Sequence, residues 1–330
     1  MRYDGLLMFS GGLDSTVATH LLKSQGLSLL GIHFVLPFYS GLGGEHLKIY
    51  SFADTLDLPL RIIEEGNEFF EMVKSPEFGF GKNANPCLDC RIHRLKVARV
   101  IMEETSASFI ATGEVVGQRP KSQRLSCLHL IDKRTGLEGR LLRPLSAQLL
   151  DPTVPEQKGM VDRSRLQGWT GRSRQPQLAY ARTYGLPHTA PAGGCLLTMV
   201  TSAQRYLQLV ERYDDFTLED FRLIAYGRHF MLDDRCRLVI ARDDPENNAI
   251  EKIASADDLL FDCADIPGPM GIGRGVFSDD AVMTAASMVA RYCRARSLPE
   301  ARVKVYRQSG EERIVTVAPA DPVFCESCRI

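Results

Sequence analysis

The first 112 residues alternate short apolar runs with stretches of helical periodicity. Four apolar runs predict strands: Leu6–Phe9, Leu29–Leu36, Leu60–Ile63 and Phe109–Ala111. Amphipathic stretches predict helices after Ser15, near Glu45–Leu56 and after Cys90. Strands that alternate with helices in this way predict an α/β fold with a doubly wound parallel sheet.

The pattern changes beyond about Met199. Helices are predicted at Ser202–Arg212 and Thr217–Ala225, strands at Arg228–Leu232 and Arg237–Ala241, and a long helix near Asp279–Arg296. Thr217 and Asp220 have the spacing of a capping box at a helix start. Six small or branched residues give the last helix an apolar face: Ala281, Val282, Ala285, Ala286, Val289 and Ala290. We therefore predict two domains, residues 1–198 and a smaller α+β domain over 199–330.

A glycine pair joins the first predicted strand to the first predicted helix, in the stretch Phe9-Ser10-Gly11-Gly12-Leu13-Asp14-Ser15-Thr16. Without Cβ atoms, Gly11 and Gly12 let backbone N–H groups approach an anion, and the helix start favours negative charge. Ser15 or Asp14 is expected to cap that helix. The stretch lacks the Lys of the GxxxxGK[ST] signature, which disfavours a kinase-type or GTPase-type site.

In an open parallel sheet, ligands bind beyond the carboxyl ends of the strands. Ser10, Phe34-Val35 and Thr112-Gly113 follow three of the predicted strands. We expect these three segments to converge on one crevice that holds a nucleotide.

Two cysteines lie in a loop rich in Gly, Asn and Pro. Cys87 and Cys90 are predicted to precede a helix that begins at Ile92. A helix N-terminus lowers the pKa of a nearby thiol, which favours a nucleophile or a metal ligand. The alternative is a pair of loop cysteines without chemistry. The chain has nine cysteines, an odd number at irregular spacings, which suits thiol or metal chemistry better than a disulfide framework.

The overall composition is that of an ordinary globular protein. Hydrophobic residues make up 44% of 330 residues and the net charge is −1, which argues against disorder. No apolar run approaches the length of a membrane helix. Met1 to Asp4 leads into a strand without the apolar core of a signal peptide, so we expect a cytoplasmic protein with no membrane partner.

Charge is distributed unevenly along the chain. Residues 118–182 hold 13 Lys and Arg against five Asp and Glu, whereas residues 199–330 hold 17 against 22. A basic segment of this kind binds phosphates, although a merely solvated face is the alternative. Within it, Trp169 and Tyr180 are candidates either for stacking on an unpaired base or for the core. In the acidic second half, Arg291–Arg307 is a basic exception, with six basic residues and only Glu300 against them.

Several motifs resemble those of one enzyme superfamily. Ser10 to Ser15 resembles the SGGxDS loop of N-type ATP pyrophosphatases, and Asn85 to Cys90 resembles the NPCxxC element of tRNA-thiolating members. Thr112 to Gln118, with Ser122-Gln123, is similar to the TGExxGQxxSQ element of tRNA 4-thiouridine synthases. Arg143-Pro144-Leu145 and Pro191–Thr198 are similar to further elements, the latter with a second reactive cysteine, Cys195. The chain also resembles 2-thiouridylases but lacks their Cys-Asn after the first cysteine.

The resemblance implies an adenine nucleotide alpha hydrolase-like fold and an ATP-dependent tRNA sulfurtransferase. It implies ATP and Mg²⁺ as cofactors, with the nucleotide held by Ser10, Gly11, Gly12, Asp14, Ser15, Thr16, Phe34, Thr112 and Gly113. A uridine carbonyl oxygen would be adenylated and then replaced by sulfur. Asp14, Cys87 and Cys195 are the expected catalytic residues.

The sulfur route is open at this point. Sulfur arrives as a persulfide on Cys195 that Cys87 resolves, or on a 4Fe–4S cluster that Cys87, Cys90 and Cys195 ligate. Three thiolates would leave one iron of such a cluster without a protein ligand. The expected partners are tRNA and a cysteine desulfurase or another sulfur donor.

The second domain resembles the RNA-binding domain of NFACT proteins at Gly227-Arg228-His229-Phe230, where His229 is either an RNA contact or a structural histidine. Cys325 and Cys328 form a second CxxC pair, and a zinc site shared with Cys87 and Cys90 is an alternative that the wide separation disfavours. Two other functions remain open. One is a small-molecule ATP-dependent amidating ligase, and the other is a noncatalytic RNA-binding protein.

Overall fold

The structure is a computed structural model that describes residues 2–39, 44–189 and 195–330. Two compact units divide the chain, Met1–Thr198 and Met199–Ile330. Within the described ranges, no helix is both long enough and apolar enough to cross a membrane.

The first unit is built on a five-stranded parallel sheet. Its strands are β1 Gly5–Met8, β2 Leu29–Val35, β3 Leu60–Glu64, β4 Phe109–Ala111 and β5 Leu141–Leu142. They lie in the order β3-β2-β1-β4-β5, and every pairing is parallel. The order reverses between β1 and β4, which is where doubly wound sheets bind ligands. The predicted α/β class and parallel sheet are confirmed.

Seven helices accompany this sheet in the described part of the unit. They are α1 Leu13–Lys23, α2 Gly44–Thr55, α3 Asn67–Lys74, α4 Cys87–Glu104, α5 Leu125–Thr135, α6 Val154–Gln157 and α7 Gln175–Thr183. The alternation of side chains along β1 explains why helices cover both faces. Leu7 packs in a cluster with Val17 of α1, whereas Leu6 packs in another with Leu95 of α4.

The second unit has a six-stranded antiparallel sheet in the order β11-β10-β8-β9-β7-β6. Its strands are β6 Arg228–Met231, β7 Cys236–Ile240, β8 Leu259–Cys263, β9 Gly271–Gly275, β10 Ala301–Tyr306 and β11 Glu312–Val317. Its helices are α8 Val200–Arg212, α9 Leu218–Leu223, α10 Asp244–Ile253, α11 Asp279–Tyr292 and α12 Pro322–Ser327. The predicted apolar face of α11 is buried against the sheet, as expected for a smaller α+β domain.

The structure corrects three predictions about the ends of helices α4, α11 and α1. Helix α4 begins at Cys87 with Pro86 as its N-cap, so both cysteines lie within its first turns rather than before it. Pro is tolerated at a helix start because the first N–H groups have no partner inside the helix. Helix α11 ends at Tyr292 because Cys293 has extended backbone. At α1, Gly12 is the N-cap and, of the described side chains, none caps it, so the expected cap by Ser15 or Asp14 is wrong.

Strands β8 to β11 were not predicted. Strand β9 reads Gly-Ile-Gly-Arg-Gly, a composition typical of a turn. The glycines are required by packing, because a Cβ at Gly271 would lie 2.7 Å from a side-chain carbon of Val289. Glycine in a strand here marks the close approach of α11 rather than a break in the sheet.

Candidate functional site

The glycine loop folds back on the start of α1. Gly11 has a φ of 67°, a left-handed conformation that favours glycine. Ser15 Oγ donates to the carbonyl oxygen of Gly12 at 2.9 Å, and the N–H of Ser10 donates to Ser15 Oγ at 3.3 Å. The Ser15 hydroxyl therefore shapes the loop instead of capping the helix. The helix starts at the loop without a side-chain cap, in line with anion binding at its N-terminus.

Gly113, which follows β4, packs directly against this helix start. A Cβ at Gly113 would lie 2.6 Å from the carbonyl carbon of Asp14 and 2.7 Å from the N of Ser15. Only glycine allows backbone to approach so closely. Two of the three segments expected to converge, the loop after β1 and the Thr112-Gly113 turn after β4, therefore do meet.

Asp14 has one oxygen bound and one without a partner. Its Oδ2 accepts a 2.7 Å hydrogen bond from Gln118 Nε2. Its Oδ1 is buried and, within the described part of the chain, no hydrogen-bond partner reaches it; the same is true of Thr16 Oγ1. Buried polar atoms of native proteins are normally satisfied, so such atoms fit a ligand. A carboxylate oxygen is a ligand that Mg²⁺ prefers, so the donor set fits the implied metal.

A buried ion network that the sequence reasoning missed lies beside the loop. Glu114 and Arg143 are 1% and 3% exposed, and Arg143 Nε donates to Glu114 Oε2 at 3.0 Å. Arg91 lies 3.2 Å from the other oxygen, and Asp132 accepts from Arg143 at 2.6 Å. Burial raises the pKa of Glu114, but Arg91 and Arg143 outweigh it and the pKa is lowered on balance. Glu114 and Arg143 both lie in motifs identified from the sequence. Their opposite charges were the only feature of the sequence that could have indicated the ion pair.

The two predicted cysteine segments are joined by hydrogen bonds. Asn85 Nδ2 donates to Cys87 Sγ at 3.0 Å. Asn83 Nδ2 donates to the carbonyl oxygen of Thr198 at 2.6 Å, and Thr198 Oγ1 donates to that of Cys195 at 2.6 Å. The loop that precedes α4 therefore holds the turn that begins at Cys195. Pro191 to Gly194, part of the motif around Cys195, lie outside the described residues.

The thiols are close enough to affect one another electrostatically. Burial, together with the charges of Cys90 and Cys87, raises the pKa of Cys195 to about 12. Burial also raises the pKa of Cys90. The lowered pKa predicted for a thiol at a helix start is therefore wrong for Cys90, because burial outweighs the charges of Arg94 and Arg91, which lower the pKa. The described residues contain no group of three or more His, Cys, Asp or Glu that could hold a metal ion, and the ligand set Cys87, Cys90 and Cys195 stays a prediction.

Arg94 connects the thiols to the edge of the sheet. It lies one helical turn beyond Cys90 on α4 and forms a two-point ion pair with Glu65, which follows β3, at 2.9 and 2.5 Å. Its guanidinium lies 5.4 Å from the ring centre of Phe34, near the end of β2. The start of α4 therefore lies at the carboxyl ends of β2 and β3, the same edge that carries the glycine loop after β1. The proposed contact of Phe34 with adenosine stays a prediction.

Part of the basic segment is neutralised internally. Arg143 pairs with Glu114 and Asp132, Arg134 with Glu77, and Arg163 with Glu156. Trp169 and Tyr180 pack against the core cluster of α1, and Tyr180 hydrogen-bonds His20 at 3.0 Å. The segment therefore has fewer open charges than its sequence indicates. Exposed Arg172 and half-buried Arg174 lie at the start of α7.

In the second unit, His229 is a structural residue. It is 2% exposed, and its Nε2 lies 3.1 and 2.9 Å from the carbonyl oxygens of Leu223 and Tyr226. Burial lowers its pKa well below the usual value, and the charge of Arg205 adds to this. The structural alternative is the one the geometry supports. Cys325 is likewise buried, in the core beneath α11.

The sheet order and the glycine loop make the first unit a doubly wound α/β unit with a candidate anion-binding loop. More particularly, residues 2–149 match the family described as thiamine biosynthesis protein (ThiI). Residues 227–326 match the family described as NFACT protein RNA binding domain. The resemblances found in the sequence are thereby confirmed for both units.

Named relatives agree with this assignment. The chain is 35% identical to a probable tRNA sulfurtransferase of Lysinibacillus sphaericus over 42% of its length and 34% of the relative. It is 26% identical to the tRNA-specific 2-thiouridylase MnmA of Thiobacillus denitrificans over 67% of its length and 62% of the relative. It therefore spans less than two thirds of either relative. The C-terminal part of a fibronectin/fibrinogen-binding protein from Streptococcus suis aligns over 32% of this chain and 50% of that chain, with 20% identity and a TM-score of 0.29, too low to support any conclusion.

Proposed function

We propose that the protein is an ATP-dependent tRNA sulfurtransferase that adenylates a uridine carbonyl and replaces its oxygen with sulfur. The observation that carries the proposal is the placement of the two reactive groups. The glycine loop and the thiol-bearing start of α4 lie at the same carboxyl edge of one parallel sheet. Activation and sulfur delivery can then act on one base held at that edge.

In the activation half, the uridine oxygen attacks the α-phosphorus of ATP and pyrophosphate leaves. The N–H groups at the start of α1 would hold the departing pyrophosphate, since a helix N-terminus favours an anion. Mg²⁺, held by Asp14, would neutralise phosphate charge. Gly113 keeps the backbone after β4 against that helix start, so the adenosine would lie over Gly113 and Phe34.

In the sulfur half, Cys195 receives sulfur as a persulfide from a donor such as a cysteine desulfurase. Attack by the Cys87 thiolate on the inner sulfur forms a Cys87–Cys195 disulfide and releases sulfide, which displaces AMP from the base. A dithiol reductant then restores both thiols. The alternative is that Cys87, Cys90 and Cys195 hold a 4Fe–4S cluster, which would bind the sulfide that arrives from an external source.

RNA would be held mainly through its phosphates. Arg172 and Arg174 supply charge beside the first site, and the NFACT-type second unit supplies a further RNA surface. We infer that the protein acts on tRNA in the cytoplasm.

The test is to incubate the anaerobically purified protein with ATP, a sulfide or persulfide source and bulk tRNA, and to measure pyrophosphate and thiouridine in digested tRNA. Thiouridine and tRNA-dependent pyrophosphate release are expected.

Cys195→Ala should abolish thiouridine while pyrophosphate release continues, and Cys127→Ala on α5 is the matched control. The cluster route requires bound iron and a visible absorption band in the wild type, both of which Cys87→Ala, Cys90→Ala and Cys195→Ala should lose. Pyrophosphate release without tRNA would indicate a small-molecule ligase, and no turnover a noncatalytic RNA-binding protein.

A further inference from the structure

A chain of two buried amides extends from Asp14 to helix α7. Gln118 Nε2 donates to Asp14 Oδ2 at 2.7 Å, and Gln177 Nε2 donates to Gln118 Oε1 at 3.0 Å. Gln118 is 8% exposed and Gln177 is fully buried. Burial limits exchange of these hydrogen bonds with water, so the position of each group depends on the next.

The direction of these hydrogen bonds is fixed by chemistry. An ionised carboxylate only accepts, so Gln118 must turn its NH₂ towards Asp14 and its oxygen towards Gln177. Gln177 must then turn its NH₂ to Gln118. Its own Oε1 is left buried and, among the described atoms, without a partner. One amide orientation therefore satisfies the chain, and Asp14 Oδ1 is the oxygen that stays open.

Gln177 lies one turn beyond Arg174, the N-cap residue of α7. A second connection lies just before the arginines, because the N–H of Gly171 donates to the carbonyl oxygen of Val116 at 2.8 Å. Thr170 Oγ1 donates to the same oxygen at 3.0 Å. The stretch with Arg172 and Arg174 is thus held at both ends by the loop that carries Gln118.

We propose that Gln118 and Gln177 are positioning residues through which RNA phosphates bound at Arg172 and Arg174 strengthen nucleotide binding at Asp14. The inference rests on the proposed function. A phosphate bound at the start of α7 would restrict the motion of Gln177. Through Gln118, this would hold the Asp14 carboxylate in the orientation that leaves its Oδ1 without a hydrogen bond. The coupling is reciprocal, so ATP must tighten RNA binding by the same factor.

The test measures binding rather than turnover. The affinity of the full chain for a nonhydrolysable ATP analogue with Mg²⁺ is determined by calorimetry, with and without bulk tRNA. In the wild type we expect tRNA to tighten analogue binding about tenfold. Gln177→Leu should remove this difference. Gln175→Leu is the matched control, since Gln175 is on the same helix but exposed, and it should keep the difference.

Gln177→Glu gives a readout that a merely structural role would not move. A carboxylate there can only accept, so Gln118 must either lose that hydrogen bond or turn its oxygen against Asp14. Analogue affinity should therefore fall below that of Gln177→Leu at pH 8 and recover at pH 5, where a buried carboxyl takes up a proton. Circular dichroism establishes that each variant is folded.

The outcomes separate the two proposals. The positioning role of Gln118 and Gln177 is overturned if tRNA tightens analogue binding equally in wild type and Gln177→Leu. It is also overturned if tRNA has no effect in a wild type that binds both ligands. Either result leaves the sulfurtransferase proposal intact. A wild type that binds no analogue overturns the proposed function itself.

Discussion

Two aspartates in the first turns of helices show how differently the two units use a carboxylate. Asp14 on α1 accepts one hydrogen bond from an amide, and its second oxygen is buried without a partner among the described atoms. Asp220 on α9 forms a capping box with Thr217 and accepts from Arg274 at 2.7 Å and from Arg237. Both oxygens of Asp220 are thus satisfied.

The difference distinguishes a carboxylate with an oxygen free to bind a ligand from one whose bonds only stabilise the fold. An unsatisfied buried oxygen lowers stability, so it is retained where a ligand completes it. Asp220 is 3% exposed, and burial raises its pKa, but Arg237 and Arg274 lower that pKa on balance. Its charge is already compensated, so it has nothing left to offer a ligand. The two residues should therefore respond in opposite ways to the same truncation.

Asp14→Ala should have the largest effect on activity. Removing the charge at the phosphate loop is expected to lower tRNA-dependent pyrophosphate release about 100-fold or more. Unfolding should change by only about 1 kcal/mol, because the variant loses the hydrogen bond from Gln118 but also removes a buried oxygen that has no partner among the described atoms. The measurement is steady-state pyrophosphate release beside thermal unfolding. Asp14→Asn, which keeps the shape without the charge, should be nearly as inactive; a normal rate in both variants would exclude this loop as the active site.

Asp220→Ala should have the opposite profile. Removing the carboxylate leaves the buried guanidinium of Arg237 without its carboxylate partner, while Arg274 keeps its ion pair with Asp258. We expect a loss of about 3–5 kcal/mol in the unfolding free energy of the second unit. The one tryptophan of the chain, Trp169, is in the first unit, so its fluorescence follows that unit alone. We expect the circular dichroism transition to shift while the fluorescence transition stays. Asp244→Ala, at an exposed first-turn position on α10, should change stability by less than about 0.5 kcal/mol.

Sequence predicted the position of the glycine loop well because the features of the loop are local. The apolar strand, the glycine pair and the following periodic helix are neighbours in the chain, so Gly11, Gly12 and Asp14 were located from spacing alone. Parallel pairing then implied that Thr112-Gly113 reaches the same edge. The resemblance named Gln118 within a motif but gave no reason for it, since its partners Asp14 and Gln177 are far from it in sequence.

The thiol site was harder to predict because its properties depend on burial. Spacing placed Cys87 and Cys90 just before a helix, and the observed start of α4 lies little more than one helical turn from the predicted start. It gave the wrong pKa direction for Cys90, because spacing along the chain does not show how deeply a thiol is buried in the folded unit. The Gly-rich strand β9 was missed for a similar reason, since Val289 and Gly271 come together only in the folded unit.

A smaller effect is expected from pH, through His229 in the second unit. Its folded-state pKa is lowered well below 6.5, so the neutral ring is favoured by folding. The contribution is fully present above pH 6.5 and is lost as pH falls below it, by up to about 1.4 kcal/mol per pH unit. The circular dichroism transition should weaken between pH 6.5 and 5. His229→Gln, which keeps an amide donor for the carbonyl oxygens, should flatten that dependence; an unchanged slope would contradict the assignment.

The smallest change expected is in the salt dependence of tRNA binding. Arg172 and Arg174 lie at the start of α7, so each is expected to contact one phosphate. Each lost contact should reduce the slope of log affinity against log salt concentration by about 0.7–0.9. Fluorescence anisotropy of labelled tRNA across a salt series measures this for Arg172→Ala with Arg174→Ala. Arg134→Ala is the matched control, because Arg134 already pairs with Glu77 and its loss should leave the slope unchanged. If the double variant keeps both affinity and slope, this face is solvated, and RNA binding then depends on the second unit.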